Sequence, residues 1–265
     1  MNITTQIKDN IATITLNRSE VFNSFNRKMA FLLQEQLDIC QQRPDVRAIV
    51  LTGSGKAFCA GQDLKEVTTP ALNPGFKKIL EEHYNPILTR IRRIEKPIIA
   101  AVNGVAAGAG ANIALACDVV IASENASFIQ AFSGIGLVPD CAGTYFLPRL
   151  IGFQKASALM MLGDKVSATE AERIGMVYKV VSHENFLQEV NIIATKLSKM
   201  STTALGLTKR LLNDSMCNSF ERQLSLECHV HFESALSEDF EEGLNAFVNK
   251  RKPNFEAKCL VLNDH

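Results

Sequence analysis

Residues 96–115 read KPIIAAVNGVAAGAGANIAL, and the fold follows from how this stretch changes character along its length. Ile98-Ile99-Ala100-Ala101-Val102 is a short continuous apolar run, the pattern of a strand buried on both faces. Asn103-Gly104 interrupts it, and the small residues Gly108-Ala109-Gly110-Ala111 follow. From Asn112-Ile113-Ala114-Leu115-Ala116 the pattern reads as helix. A buried strand that turns sharply into a helix leaves the first helical N–H groups without intrahelical acceptors, aimed outward and partially positive. Small side chains at that point let a ligand approach the backbone. The joint suits a negative oxygen, either of a phosphate or of a carbonyl that gains charge during reaction. Two further readings fit the same residues: plain packing of a helix on a sheet, or a dinucleotide-binding loop. Against the loop, Ile113 stands where its third small residue belongs, and the stretch lies mid-chain.

On either side of this stretch, strands and helices recur. Ile11–Leu16 alternates with period two, and Ala48–Thr52 is a second buried strand, broken at Gly53-Ser54-Gly55 and followed by Lys56-Ala57-Phe58-Cys59-Ala60-Gly61-Gln62-Asp63-Leu64. Between those strands Ser24 or Asn26 caps a helix whose Met29, Leu32, Leu33, Leu37 and Cys40 share one face, and Pro44 ends it. Residues 66–76 read as a mobile loop, and Phe76–Ile94 as an amphipathic helix. Downstream, Asp118–Ala122 and Ala126–Phe128 read as strands, 135–143 as a loop entering a helix near Thr144, and Ala156–Leu162 as helix. Ser167–Arg173 is a capped helix, Met176–Val181 a strand, and from His183 onward only helix is expected, over about 183–199, 201–215, 218–235 and 237–250. The pattern of strand, strand, helix predicts one body over 1–195 and a helical region over 196–265 that packs on that body or on a neighbouring subunit.

Composition narrows the functions. The 265 residues are 46% hydrophobic, enough for a large core, and carry 28 basic and 28 acidic side chains with no basic block, which argues against nucleic acid as a partner. The polar start MNITTQIKDN and the lack of a long apolar run predict neither a leader nor a membrane span. Asn263-Asp264-His265 forms no targeting signal. Seven scattered cysteines (40, 59, 117, 141, 217, 228 and 259) without a CxxC pair predict free thiols in a reducing compartment, the cytoplasm, rather than disulfides or zinc. The five histidines make no metal pattern, and His229 and His231 would face different sides of a helix.

Four segments together resemble the crotonase family, the enoyl-CoA hydratases and isomerases. They are Lys56–Leu64, Lys96-Pro97 through Gly110 to Cys117-Asp118, Ile135–Gly143, and Ala246–Arg251 with Pro253 and Phe255, in family order across essentially the whole chain. The resemblance implies an α/β spiral of ββα repeats with a C-terminal helical trimerisation region, assembled as homotrimers or dimers of trimers. It implies an acyl-CoA thioester as ligand and no cofactor beyond the coenzyme A of the substrate. It places the backbone N–H donors of an oxyanion hole at Gln62 and Ala109, and coenzyme A near Phe22, Ser24, Ala60, Asp63 and Leu64. Phe247 and Lys250 would reach the nucleotide end, possible alternatives being core packing for Phe247 and a helix-end cation for Lys250.

Hydratases of this family use two glutamates, one to activate water and one to protonate the alpha carbon. The matching positions here hold Asn112 and Phe132, neither of which transfers a proton. Phe132 would instead form an aromatic wall against the acyl group. The remaining candidate acid is Asp140, in Leu137-Val138-Pro139-Asp140-Cys141-Ala142-Gly143, either as a proton shuttle raised in pKa by burial or as the cap of the next helix. One carboxylate over an oxyanion hole suits isomerisation, and the run 136–144 looks like the family's isomerases of phenylacetate breakdown. Those convert a ring epoxide of phenylacetyl-CoA to an oxepin and shift 3-enoyl to 2-enoyl double bonds. Other expectations left open are hydratase-like chemistry, a thioester hydrolase or dehalogenase, and a non-catalytic acyl-CoA binder.

Overall fold

Alternating and continuous apolar strands sort themselves into two layers in the computed structural model, which describes residues 1–255. Cys259 and Asn263-Asp264-His265 lie outside the described residues. A hairpin opens the chain: β1 (Ile3–Lys8) and β2 (Ile11–Leu16) pair antiparallel around Asp9-Asn10, both left-handed as a tight turn of this kind requires. α1 (Arg27–Gln42) follows, with Asn26 rather than Ser24 as its cap: the Asn26 side chain accepts from the Met29 N–H. Then come β3 (Ala48–Gly53), β4 (Ala57–Cys59) and α2 (Leu64–Thr68), which Asp63 caps. The stretch expected to be a mobile loop therefore begins as helix. α3 (Phe76–Lys78) runs through a π-helical segment (Ile79–Tyr84) into α4 (Asn85–Arg93).

β5 (Ile98–Val102), β6 (Val105–Ala107) and α5 (Ala109–Leu115) come next. α5 thus starts three residues before the expected Asn112, because β6 is too short for its period to register in the sequence. β7 (Val119–Ser123) and β8 (Ser127–Ile129) lead to α6 (Gly143–Ile151), α7 (Phe153–Leu162), β9 (Lys165–Ser167), α8 (Ala168–Arg173) and β10 (Lys179–Val181). The expected strand from Met176 starts only at Lys179, since Gly175 is left-handed and the Met176 N–H bonds back to Ala171. Helices α9 (Phe186–Ser198), α10 (Thr202–Ser215), α11 (Phe220–Ala235) and α12 (Glu238–Val248) complete the described chain.

The strand order is β1-β2-β3-β5-β7-β10 in one sheet and β4-β6-β8-β9 in the other. Successive units each give one strand to each sheet: β3 and β4, β5 and β6, β7 and β8. Pairing between units is parallel in both sheets, so the chain advances as a spiral. Sequential parallel strands buried on both faces explain the continuous apolar runs. Ile49, Leu51, Ile98, Ala100 and Val102 face a core shared with α1 and α4, while Ala48, Val50, Ile99, Ala101 and Ile121 face the Phe186, Val190 and Ala194 stripe of α9. The last strand-covering helix therefore runs to Ser198, across the 195 boundary drawn from sequence.

Lys96, 2% exposed, fastens α1 to the strand that precedes the site: its Nζ lies 2.6 Å from the carbonyl oxygens of Cys40 and of Arg43 at the helix C-terminus. The buried Cys40 carbonyl and the half-buried Arg43 carbonyl lose a cationic donor in Lys96→Met. The variant is expected to lose about 2–3 kcal/mol, lowering the melting temperature by roughly 5–10 °C in a thermal melt.

Candidate active site

Two chain corners meet at the centre of the molecule. The first follows β4, where Ala60-Gly61-Gln62-Asp63 passes beside Phe25. Phe25 and Gln62 form a parallel bridge: the Phe25 N–H donates to the Gly61 carbonyl at 2.7 Å, and its carbonyl accepts from the Asp63 N–H at 2.8 Å. In such a bridge the flanking residues face the partner, so Gln62's own N–H points away from Phe25. The second corner joins β6 to α5. Gly108 holds φ 53°, ψ −126°, a backbone state open only to glycine, and turns the chain so that α5 begins at Ala109. α5 rests directly on the end of β4: a Cβ on Gly110 would lie 2.3 Å from the Cys59 carbonyl oxygen.

These contacts bring the Gln62 and Ala109 backbones together. A Cβ on Gly61 would sit 3.4 Å from the Ala109 nitrogen. Neither the Gln62 nor the Ala109 N–H donates to any described group. Both residues line one apolar cavity of about 390 Å³ with Ser24, Ala60, Leu64 and Phe132. The Phe132 ring closes one wall over Gly108, 3.6 Å from where a Cβ there would stand.

Asp140 lines the same cavity. Its Oδ1 is buried without a hydrogen-bond partner, and burial raises its pKa above the ordinary carboxylate value, against a smaller lowering by the hydrogen-bonded Cys141 thiol. The loop that presents it is strained: Cys141 (φ 50°) and Ala142 (φ 57°) are consecutive left-handed non-glycine residues, at a cost of about 1–3 kcal/mol each. Asp140 does not cap the next helix, as one reading of the sequence allowed. The cap position of α6 is Ala142, with no side-chain hydrogen bond.

Asn112 explains how that loop is held. Its Nδ2 donates to the Asp140 carbonyl at 2.9 Å, and its Oδ1 accepts from Gln130 Nε2 at 2.8 Å. Both ends of the amide are thus engaged in structure, and Gly143 is needed beside it, since a Cβ there would meet Nδ2 at 2.3 Å.

The remaining sequence candidates fall outside the cavity. Phe22 is half-exposed and left-handed, its carbonyl accepting from the Ala60 N–H at 3.0 Å. Asp63 caps α2, pairs with Arg18 at 2.8 Å, and lines an adjacent open groove of about 1020 Å³ with Arg27, Lys28, Lys65 and Lys78. Phe247, on α12, is 83% exposed, which rules out packing in its own chain's core, and Lys250 lies just past that helix in a left-handed conformation. The sequence reading missed Tyr84, Phe76, Ile79, Leu80, Ile135 and Leu137 as lining residues. Periodicity alone assigns such residues to a core, so only the Tyr84 hydroxyl offered a signal.

A pocket with two unpartnered N–H groups beside a desolvated carboxylate can hold an oxyanion and exchange a proton next to it. Comparison with known proteins defines the class: the chain belongs to the enoyl-CoA hydratase/isomerase family, whose model matches residues 6–258. It is 42% identical over 260 residues to the 1,2-epoxyphenylacetyl-CoA isomerase of Escherichia coli (strain K12), covering 97% of this chain and 98% of the relative. It is equally 42% identical over 253 residues to the "probable enoyl-CoA hydratase" of Rhodobacter capsulatus, covering 96% and 97%. Among solved structures, the enoyl-CoA hydratase of Bacillus anthracis superposes with a TM-score of 0.89 at 32% identity, over 97% of this chain and 99% of that one. The crotonase spiral expected from the motifs is the fold observed, and the chain is an enzyme of this family.

Gly110→Ala tests the contact between the corners. Its methyl meets main chain at 2.3 Å, so α5 must move off β4. The variant is expected to lose about 1–3 kcal/mol of stability, and to lose turnover of acyl-CoA by a far larger factor at temperatures where circular dichroism shows it folded.

Proposed function

We propose that this protein is a CoA-thioester isomerase in which Asp140 moves a proton through an enolate held by the Gln62 and Ala109 N–H groups. The unpartnered, buried Oδ1 of Asp140 in the cavity of those two donors carries the reading. On a 3-enoyl-CoA, the carboxylate takes a proton from C2. The electron pair of that C–H bond forms C1=C2 while the C1=O pair moves onto the thioester oxygen, giving a dienolate whose charge two preorganised donors stabilise. Protonated Asp140 then gives the proton to C4: C1=O reforms, the C1=C2 pair shifts to C2=C3, the C3=C4 pair makes the new C4–H bond, and the 2-enoyl-CoA leaves with the enzyme unchanged. No cofactor beyond the coenzyme A of the substrate takes part.

The engaged Asn112 amide and the apolar Phe132 supply no second acid or base, which favours isomerisation over hydration. The Escherichia coli relative favours a ring-epoxide phenylacetyl-CoA, rearranged to the oxepin, as a further substrate, and Phe132 offers a flat ring its wall. The equally similar relative named as a hydratase keeps water addition as the second reading. We also propose that residues 196–265 form the trimerisation region. Phe220, Leu224, Phe232, Leu236, Phe240 and Phe247 are exposed apolar side chains on its helices, more than a solvated surface ordinarily carries. Phe247 and Lys250 would then serve a neighbouring subunit's ligand. Among the described residues no helix is long and apolar enough to cross a membrane, and the exposed thiols Cys217 and Cys228 suit the cytoplasm.

Asp140→Asn is expected to lower isomerisation of a 3-enoyl-CoA by at least about a thousandfold, with thioester affinity retained. Full rate in the variant removes Asp140 from the mechanism, and 3-hydroxyacyl-CoA as the main product of the wild type replaces isomerisation with hydration.

The proton acceptor is the ionised form, and burial raises the Asp140 pKa. The rate constant kcat/KM should therefore climb with pH through an inflection above the ordinary carboxylate value. A carboxyl raised in the folded state favours folding while protonated, and that contribution is lost as pH rises through its folded pKa. Asn cannot ionise. The melting temperature of Asp140→Asn should therefore gain on the wild type as pH rises from the ordinary carboxylate value to neutrality.

A further inference from the structure

Tyr84 ends the π-helical segment completely buried, and its hydroxyl donates to Gln62 Oε1 at 3.0 Å. Burial pushes the phenol well above its ordinary pKa, so it stays a donor. Gln62 Nε2 donates in turn to Glu66 Oε2 at 2.8 Å. The other Glu66 oxygen accepts from the main-chain N–H of Arg27, the first residue of α1, at 2.8 Å. A phenol gives and a carboxylate receives, so the Gln62 amide has one orientation that satisfies both neighbours. A single side chain thereby ties the π-helical segment, α2 and the start of α1 into one hydrogen-bonded chain.

The proton transfer described above uses none of these side chains, yet they converge on the residue whose backbone N–H faces the cavity. The π-helical segment is what allows this. One extra residue per turn shifts the following side chains by about 100° relative to an α-helix, which here lets Tyr84 reach Gln62 while Ile79 and Leu80 line the acyl wall. The backbone bridge to Phe25 fixes the Gln62 peptide on one side only. The side-chain network fixes it on the other, together with the α2 wall that supplies Leu64 and Val67 to the cavity. Oxyanion donors act through position, and displacements of about half an ångström cost catalysis.

We infer that Tyr84 and Glu66 are positioning residues that act through the Gln62 side chain to aim its main-chain N–H at the developing enolate oxygen, an inference that rests on the enolate reading proposed above. Acetoacetyl-CoA provides a probe that requires no turnover, because its 3-oxoacyl group ionises to an enolate with its own ultraviolet band. The wild type is expected to bind it enriched in the enolate. Tyr84→Phe should weaken binding of the enolate about tenfold while butyryl-CoA affinity stays within about twofold, and kcat on a 3-enoyl-CoA should fall about tenfold with KM unchanged. Glu66→Gln, which keeps the size but breaks one link, should show the same split and serves if Tyr84→Phe does not fold. In a cycle with Gln62→Met, the Tyr84→Phe effect should vanish, since its path is already cut. Enolate enrichment in the wild type left unaltered by Tyr84→Phe overturns the inference alone, as do equal losses on both thioesters or additive effects in the cycle. No enrichment in the wild type overturns the enolate reading and the inference with it.

Discussion

The first turn of α5 seated on the end of β4 is the contact on which the rest of the site depends. A glycine at 110 lets the helix pack directly on the end of β4, because any side chain there would start with a Cβ only 2.3 Å from the Cys59 carbonyl oxygen. The closeness places the exposed N–H of a helix start beside the Gln62 N–H of the adjoining unit. Both belong to main chain pinned by strands, so neither needs to reorganise when an oxygen between them gains charge. The spiral supplies such pairs of corners because β3/β4, β5/β6 and β7/β8 each lay one strand in each sheet before the chain turns into a helix.

Around that fixed pair the molecule accepts local cost. Asp140 gives up hydration and keeps an oxygen without a partner, and the two residues after it sit in left-handed backbone states. Asn112 counters this by gripping the Asp140 carbonyl from α5, the same helix that offers the Ala109 N–H. The Asp140 loop and the Ala109 N–H thus share α5 as one rigid support. A buried oxygen without a partner and two successive left-handed residues, gathered beside one cavity, are the kind of local cost that functional sites carry.

Much of this was legible in the residues. The apolar run 98–102 and the small residues after it announced a strand meeting a helix start, and the motif order named the fold family. Asp140, Gln62, Ala109 and Phe132 stand out in the sequence, and all four line one cavity. Less legible were the short elements. β6 and α2 span too few residues for a period to show, and the π-helical turn at 79–84 looks like any amphipathic helix in sequence. Asn112 was readable only as an absent acid, because its task, holding a carbonyl 28 residues away, is a relation between distant segments.

Local chemistry, then, was settled by the chain itself: which runs are buried and which positions lack an acid. Those properties depend on neighbours a few residues apart, and hydrophobic period and side-chain type record them directly. The fold alone decided that Asp140 lines one cavity with Gln62 and Ala109 instead of capping α6, that Phe22 and Asp63 fall outside that cavity, and that Tyr84 reaches Gln62. Each depends on distances between segments far apart along the chain, and those distances exist only once the sheets have stacked and the helices have closed over them.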